Sequence, residues 1–251
     1  MSVVKQIQVK SIHSSLANAF VRKHHYSGKV VPNSQLHFGA YLDDKLHGVM
    51  QFGPSLDKSK IQGLVKGTGW NEFIELNRMA FDDTLPKNSE SRCIAIALRL
   101  IKKHAPHIKW VVSFADGTQC GDGTIYRASG FKLTDIRKNT KIYNLPTGEV
   151  VNKFTYDKSK YVVMANGKAS GSIWMNKMNA TLAKWYQFRY ILFIDKTKQK
   201  DLTVPILPFS AIADAGAKMY KGKRAELESK ALGFQPEESG AIPTGTHHTE
   251  L

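Results

Sequence analysis

Cysteine is nearly absent: the 251 residues hold two, Cys93 and Cys120. That excludes a disulfide framework and a cysteine-built zinc site, and it points to a reducing cytoplasm. No apolar run approaches the ~20 residues that a spanning helix needs. The opening Met1-Ser2-Val3-Val4-Lys5 also lacks the pattern of a signal peptide. No membrane partner is expected. Internal repeats and long low-complexity tracts are missing too. Acids are scarce, 21 against 36 Lys and Arg, which leaves a formal charge of +15. What is present is ordinary globular material, 42% hydrophobic and 23% charged, so wholesale disorder is excluded. The length suits one sizeable core with a smaller appendage.

A surplus of bases this large favours a polyanionic partner, because phosphate neutralisation with counterion release supplies most nonspecific nucleic-acid affinity. A basic enzyme with no nucleic-acid partner is the competing reading. The charge is uneven. Residues 171–224 carry ten bases against three acids, whereas 225–251 carry one base against five acids. The last stretch, with Pro236-Glu237-Glu238-Ser239-Gly240, reads as a mobile acidic tail. We expect a catalytic domain over 1–210 with a basic insertion near 136–187, followed by an extension and tail over 211–251.

Hydrophobic periods alternate along the main body. Leu36–Leu42 and Leu46–Phe52 flank a polar turn and predict a β-hairpin. Trp70–Phe81 contains a further strand. Pro86-Lys87-Asn88-Ser89 then breaks the chain and offers an N-cap to a helix running to His104. The run 108–116 has the continuous apolar character of a strand covered on both faces. Thr124–Phe131 reads as a short helix closed by Gly130. Residues 188–194 predict a late strand, and 202–209 an edge strand whose pairing Pro205 and Pro208 limit. The order implies a mixed α/β sheet with a parallel pair around one crossover helix.

That order, with Tyr126-Arg127-Ala128-Ser129-Gly130-Phe131 after the buried strand, resembles the GNAT acetyltransferase fold. Five segments taken together are more specific. They are His24-His25-Tyr26-Ser27-Gly28, Glu75-Leu76-Asn77-Arg78, Lys87–Arg92, Ser113-Phe114-Ala115-Asp116 and Ile125-Tyr126-Arg127-Ala128. This set resembles the bacteriophage Mom family of DNA-modifying proteins over residues 15–135, and more loosely over 185–210. The resemblance implies a GNAT-like mixed sheet with crossover helices and a basic C-terminal extension. It implies conversion of DNA adenine to its carbamoylmethyl derivative at the 6-amino group, which shields a phage genome from host restriction. The setting would be the bacterial cytoplasm during infection or from a prophage. Two alternatives stand beside it: an acyl-coenzyme A N-acetyltransferase acting on protein, RNA or a small amine, and a non-catalytic nucleic-acid-binding protein.

One departure bears on the donor. GNAT enzymes cradle the coenzyme A pyrophosphate in a Gly-rich loop at a helix start, where free amides face the anion. Here Pro86–Arg92 holds no glycine, so side chains stand where backbone should approach the phosphates. Lys87, Ser89, Ser91 and Arg92 remain candidates to hold a donor phosphate. Glycyl-tRNA is favoured over acetyl-coenzyme A as donor. A glycyl group on the adenine amine, N–CO–CH2–NH2, is an isomer of N–CH2–CO–NH2. Attack of its free amine on purine carbon six converts one into the other without a redox step.

Adenine's 6-amino group is a poor nucleophile, so a site must position it, take its proton and stabilise an oxyanion. Asp116, at the end of the buried strand, is the candidate base or amine anchor; the competing role is a helix cap. Tyr126 is the candidate acid toward the leaving group, against a plain buried aromatic. Ser113 is a candidate hydrogen-bond partner, against a backbone-satisfied strand serine. Glu75 and Arg78, three apart, read as an ion pair or a phosphate contact. His24, His25 and Tyr26 would line the mouth of the site, and Lys198 and Lys200 would meet double-stranded DNA from a turn. Ferrous iron is a possible cofactor implied by the resemblance, with His24 or His25 and Asp116 as its candidate ligands. Tyr26, Trp70, Trp174 and Trp185 are candidates to stack an extruded base.

Overall fold

The computed structural model describes residues 3–117, 121–152, 162–163, 169–170, 175–176, 178–184 and 186–217. Cys120, Trp174, Trp185 and the acidic tail lie outside the described residues. The described residues fall into two compact units, one comprising 3–140 with 182–217 and the other 141–181.

The larger unit is built on seven strands: β1 (Gln8–Ser11), β2 (Leu36–Leu42), β3 (Lys45–Gly53), β4 (Phe73–Phe81), β5 (Trp110–Asp116), β6 (Lys132–Lys138) and the late strand Tyr186–Phe193. The spatial order is β1-β2-β3-β4-β5-late strand-β6. Only β4 and β5 run parallel, joined by the crossover helix α3 (Ser89–His104). The mixed sheet expected from the sequence is therefore the one observed. β2 and β3 meet through Asp43 and Asp44, at φ 49° and 58°, which gives the left-handed two-residue turn that matches strand twist. The predicted edge strand at 202–209 does not form. This stretch has one isolated bridge, Val65 to Leu202, and a Leu207 amide bonded to the Leu133 carbonyl; Pro205 and Pro208 remove the donors that a ladder would need.

One face of the sheet is covered by α3, which buries Cys93, Ile94, Ala97 and Ile101 along one stripe. The short helices α4 (Thr124–Ala128) and Ser210–Asp214 add Tyr126 and Ile212 to the same core. The opposite face is covered in two patches. Helix α1 (Ser14–His24) packs Ala17, Phe20 and Val21 on Val49 and Ala80. The short helix α2 (Lys58–Gln62) and the turn after it place Ile61, Leu64 and Val65 on Phe73, Trp110, Val112 and Ile191. Along β4 these patches end at Phe73 and resume at Ala80. Between them on this face stand Glu75, Asn77 and Arg78, all polar.

A sharp turn is fixed behind β5. Gly123 sits at φ 76°, and a Cβ there would come within 2.5 Å of the Tyr190 ring. The Tyr190 hydroxyl donates to the Asp122 carbonyl, so glycine is required for both conformation and space. The smaller unit contains an antiparallel hairpin of Ile142–Asn144 with Val150–Asn152. It buries Leu145, Val151 and Met175 in a core of its own.

Candidate active site

The parallel pairing of β4 with β5 covers Phe73–Leu76 against Trp110–Ser113 and then stops. Both strands continue, to Phe81 and to Asp116, without pairing to each other. At the same place the β3–β4 register slips: Gln51 faces Arg78 and Phe52 faces Leu76, which leaves Asn77 as a bulge residue. Bulges bend a strand and re-aim its side chains. Here the bend opens a notch between parallel strands, whose last shared rung is pinned by the Ser113 hydroxyl donating to the Leu76 carbonyl at 3.0 Å.

Polar groups collect around the bulge on the face between α1 and α2. Arg78 donates its Nε to the Lys29 carbonyl at 2.8 Å and an Nη to the Asn77 carbonyl at 2.7 Å. It thereby ties the loop after α1 to the bulge. The expected Glu75–Arg78 ion pair does not form, although Arg78 lies close enough to act on Glu75 through its charge. Burial raises the Glu75 pKa above the ordinary carboxylate value, against the opposing effects of a Ser55 hydrogen bond and the Arg78 charge. Asn77 is buried and accepts from the Ser34 hydroxyl at 2.9 Å. Gly53 makes room for it, since a Cβ there would lie 2.9 Å from Asn77 Nδ2.

His25 closes the cluster. Its Nδ1 receives the Ser27 amide at 3.2 Å and lies 2.8 Å from the Ser27 hydroxyl, which leaves the proton of the neutral ring on Nε2. Burial, and secondarily the Arg78 charge, lower its pKa from 6.5 to about 4. The unfolded chain takes up this proton near pH 6.5, whereas the folded chain resists until about pH 4. Stability present above pH 6.5 should therefore fall as pH drops through that window. For a half-exposed ring we expect a loss on the order of 1 kcal/mol, well short of the full shift. Denaturant midpoints at pH 7 and pH 4.5 would measure it. His25→Gln should flatten the difference.

The candidate catalytic residues divide between the two faces. Asp116 follows the alternation of Trp110 and Val112, so it shares the Glu75 face, four residues beyond the level of Val112, which faces Glu75. Ser113 and Tyr126 belong to the α3 side. Ser113 is fully buried, and its hydroxyl is taken up by the strand pin. The Tyr126 ring lies against Tyr190 and Phe131 at 5.3 and 5.4 Å. Glu75, read from the sequence with Arg78 as an ion pair or a phosphate contact, is the acid beside the bulge.

At the start of α3, Ser89 is buried and donates to the Pro86 carbonyl, and Ser91 donates to the Asn88 carbonyl. Lys87 is exposed, and Arg92 points one Nη at the Lys5 carbonyl at 3.5 Å. Asn88 adopts φ 70°, the left-handed conformation that glycine normally supplies. Glu90 adds a carboxylate to the first turn, where a bound pyrophosphate would meet its repulsion. These residues fit coenzyme A poorly.

His24 stacks on Phe20 at 4.3 Å, and Tyr26 is half exposed with its ring 4.2 Å from that of His25. Among the described residues no three His, Cys, Asp or Glu side chains converge to hold a metal ion. Lys198 and Lys200 lie on a 3-10 helix, Lys196–Asp201, capped by Asp195. Cys93 is buried on the inward face of α3, and burial pushes its thiol up to about 12. No helix among the described residues is long and apolar enough to cross a membrane.

Solved structures similar to this chain include a putative GNAT-family acetyltransferase of Desulfovibrio desulfuricans, 11% identical at a TM-score of 0.44, covering 75% of this chain and 99% of its own. The ribosomal-protein-S18-alanine N-acetyltransferase of Escherichia coli is similar at 10% identity and a TM-score of 0.41, with 75% and 94% covered. In sequence the chain is 36% identical to the methylcarbamoylase mom of Escherichia phage Mu over 203 residues, 80% of this chain and 81% of that protein. The model of the Mom protein family matches residues 6–211. A match of that length and an identity of that level place this chain in the Mom protein family, to which it belongs.

Proposed function

We propose that this protein modifies adenine in double-stranded DNA, leaving a carbamoylmethyl group on the exocyclic 6-amino nitrogen and so protecting phage DNA from restriction. The observation that carries the reading is Glu75: a carboxylate made more basic by burial, beside the notch where β4 and β5 part, with the Arg78 guanidinium close enough to act on it and Ser55 hydrogen-bonded to it. A carboxylate that is a stronger base than an exposed one suits a weak nucleophile that must lose a proton as it attacks. The +15 charge supports a polyanionic substrate, and the likeness to the phage Mu methylcarbamoylase supports the group transferred.

The donor we favour is an activated glycine ester, as at the end of glycyl-tRNA. The adenine nitrogen attacks the ester carbonyl, Glu75 takes a proton from that nitrogen, and the bond to the ribose oxygen breaks, leaving a hydroxyl. The free glycyl amine then attacks purine carbon six and the original carbon–nitrogen bond breaks, which yields the carbamoylmethyl isomer. No oxidant is required. Expression in a bacterium supplied with labelled glycine, followed by DNA hydrolysis and nucleoside mass analysis, tests the proposal. We expect a labelled adenosine derivative and plasmid DNA resistant to adenine-containing restriction sites. Unmodified nucleosides from a strain making soluble protein would sink it.

A further inference from the structure

We propose that the surface formed by Leu56, Lys58 and Trp70 is the wedge that opens duplex DNA beside the active site, Leu56 entering the base stack and Trp70 covering an exposed base. The inference rests on the reading of the site as one that acts on a base in duplex DNA. Chemistry on a paired base requires its extrusion, and proteins hold the resulting gap with apolar side chains inserted at the base step. Leu56 is 93% exposed, the most exposed large hydrophobic among the described residues. It occupies the loop between β3 and α2, held between Pro54, whose carbonyl accepts from Asn33 Nδ2 at 3.1 Å, and Asp57, paired with Lys60 at 2.9 Å. Its neighbour Ser55 is buried and hydrogen-bonds Glu75. The wedge is thus attached directly to the acid of the active site.

Trp70 is half exposed, with the Lys58 ammonium 4.5 Å from its ring centroid. Lys58 also donates to Asn71 Oδ1 at 3.2 Å, so the lysine is oriented and braces the indole. A cation thus sits over the indole while about half of the residue stays exposed, surface that a base can stack on. Residues 54–70 carry three lysines against one aspartate, which matches the phosphates flanking an opened step. An open groove of about 570 Å³ lies between Pro54, Lys58, Asn71, Phe73 and His107. Its volume lies in the range that holds small organic groups.

The experiment uses the full chain and duplexes in which single adenines of varied sequence context are replaced by 2-aminopurine, a base quenched by stacking. Wild-type protein should raise the fluorescence severalfold in at least part of the set. Leu56→Ala and Trp70→Ala should reduce that rise at least fivefold while weakening duplex affinity less than threefold. Leu56→Met should restore most of the signal. Adenine modification in plasmid DNA should fall tenfold or more in both alanine variants. A wild-type protein that produces no rise, or alanine variants that keep it in full, would overturn the wedge. If no adenine is modified by any variant while the Leu56-dependent rise persists, the assignment of chemistry fails and the wedge stands.

Discussion

Glu75→Gln is expected to lower adenine modification by about 10²–10⁴, the range over which a positioned base contributes, and to leave the fold and DNA affinity unchanged. The substitution is isosteric and keeps an acceptor for the Ser55 hydrogen bond, so its effect isolates the loss of a proton acceptor. As a base, Glu75 works only when ionised, and burial raises its pKa. The wild-type rate should therefore increase as pH rises through that shifted value and then level off, while the residual rate of the Gln variant shows no such rise. Asp116→Ala gives the contrast. Asp116 shares the same sheet face but lies beyond the paired rungs of β4 and β5. If Asp116 anchors the amine rather than taking its proton, its loss raises the substrate requirement and leaves the pH profile in place. Near-wild-type modification by Glu75→Gln, under equal soluble expression, would remove Glu75 from the chemistry and return that role to Asp116.

The sequence carried the skeleton of the fold because its strongest periodicities coincide with packed elements. The crossover helix is bounded by the expected break and its last basic turn, and it forms over Ser89–His104. The apolar run before Asp116 is a strand paired on both sides. Elements with weaker patterns were not legible. β1 has four residues and no buried ones, and β6 is half charged, since each is an edge strand with one paired side. Proline at 205 and 208 was correctly a limit on pairing but was stronger than expected, and it suppressed the strand altogether.

The candidate site was legible as a set of segments and not as a geometry. Glu75, Asn77 and Arg78 were visible as polar residues in an apolar strand. Which of them face the same side depends on the bulge at Asn77, and that is created by register against β3. Without the bulge, strict alternation would put Glu75 and Arg78 on opposite faces. The same rule separates Ser113 from Asp116, which sequence proximity had grouped. The one available sign was Gly53 in a hydrophobic strand, required where the Asn77 side chain crosses β3.

Arg78 supplies the second large effect. Its two bonds, to the carbonyls of Lys29 and Asn77, join the loop that carries His25 to the bulge that aims Glu75. A lysine at 78 keeps the charge, but a single ammonium does not reproduce the fixed fork that reaches both carbonyls. Methionine keeps the stem and removes the charge. Both Arg78→Lys and Arg78→Met should lower modification about 100-fold, because misplacement of reacting groups by an ångström carries a cost of that order. They should differ at His25. Arg78 contributes to holding its pKa near 4, and burial contributes more. In Arg78→Met the imidazole pKa should therefore rise part of the way toward 6.5, and in Arg78→Lys it should stay low. Titration of the His25 ring by NMR reads this directly, alongside the modification assay on the same proteins. Full activity in Arg78→Lys would mean that charge alone matters at this position and that the clamp on the loop is incidental. Equal His25 pKa values in wild type and Arg78→Met would break the electrostatic link between β4 and the loop after α1.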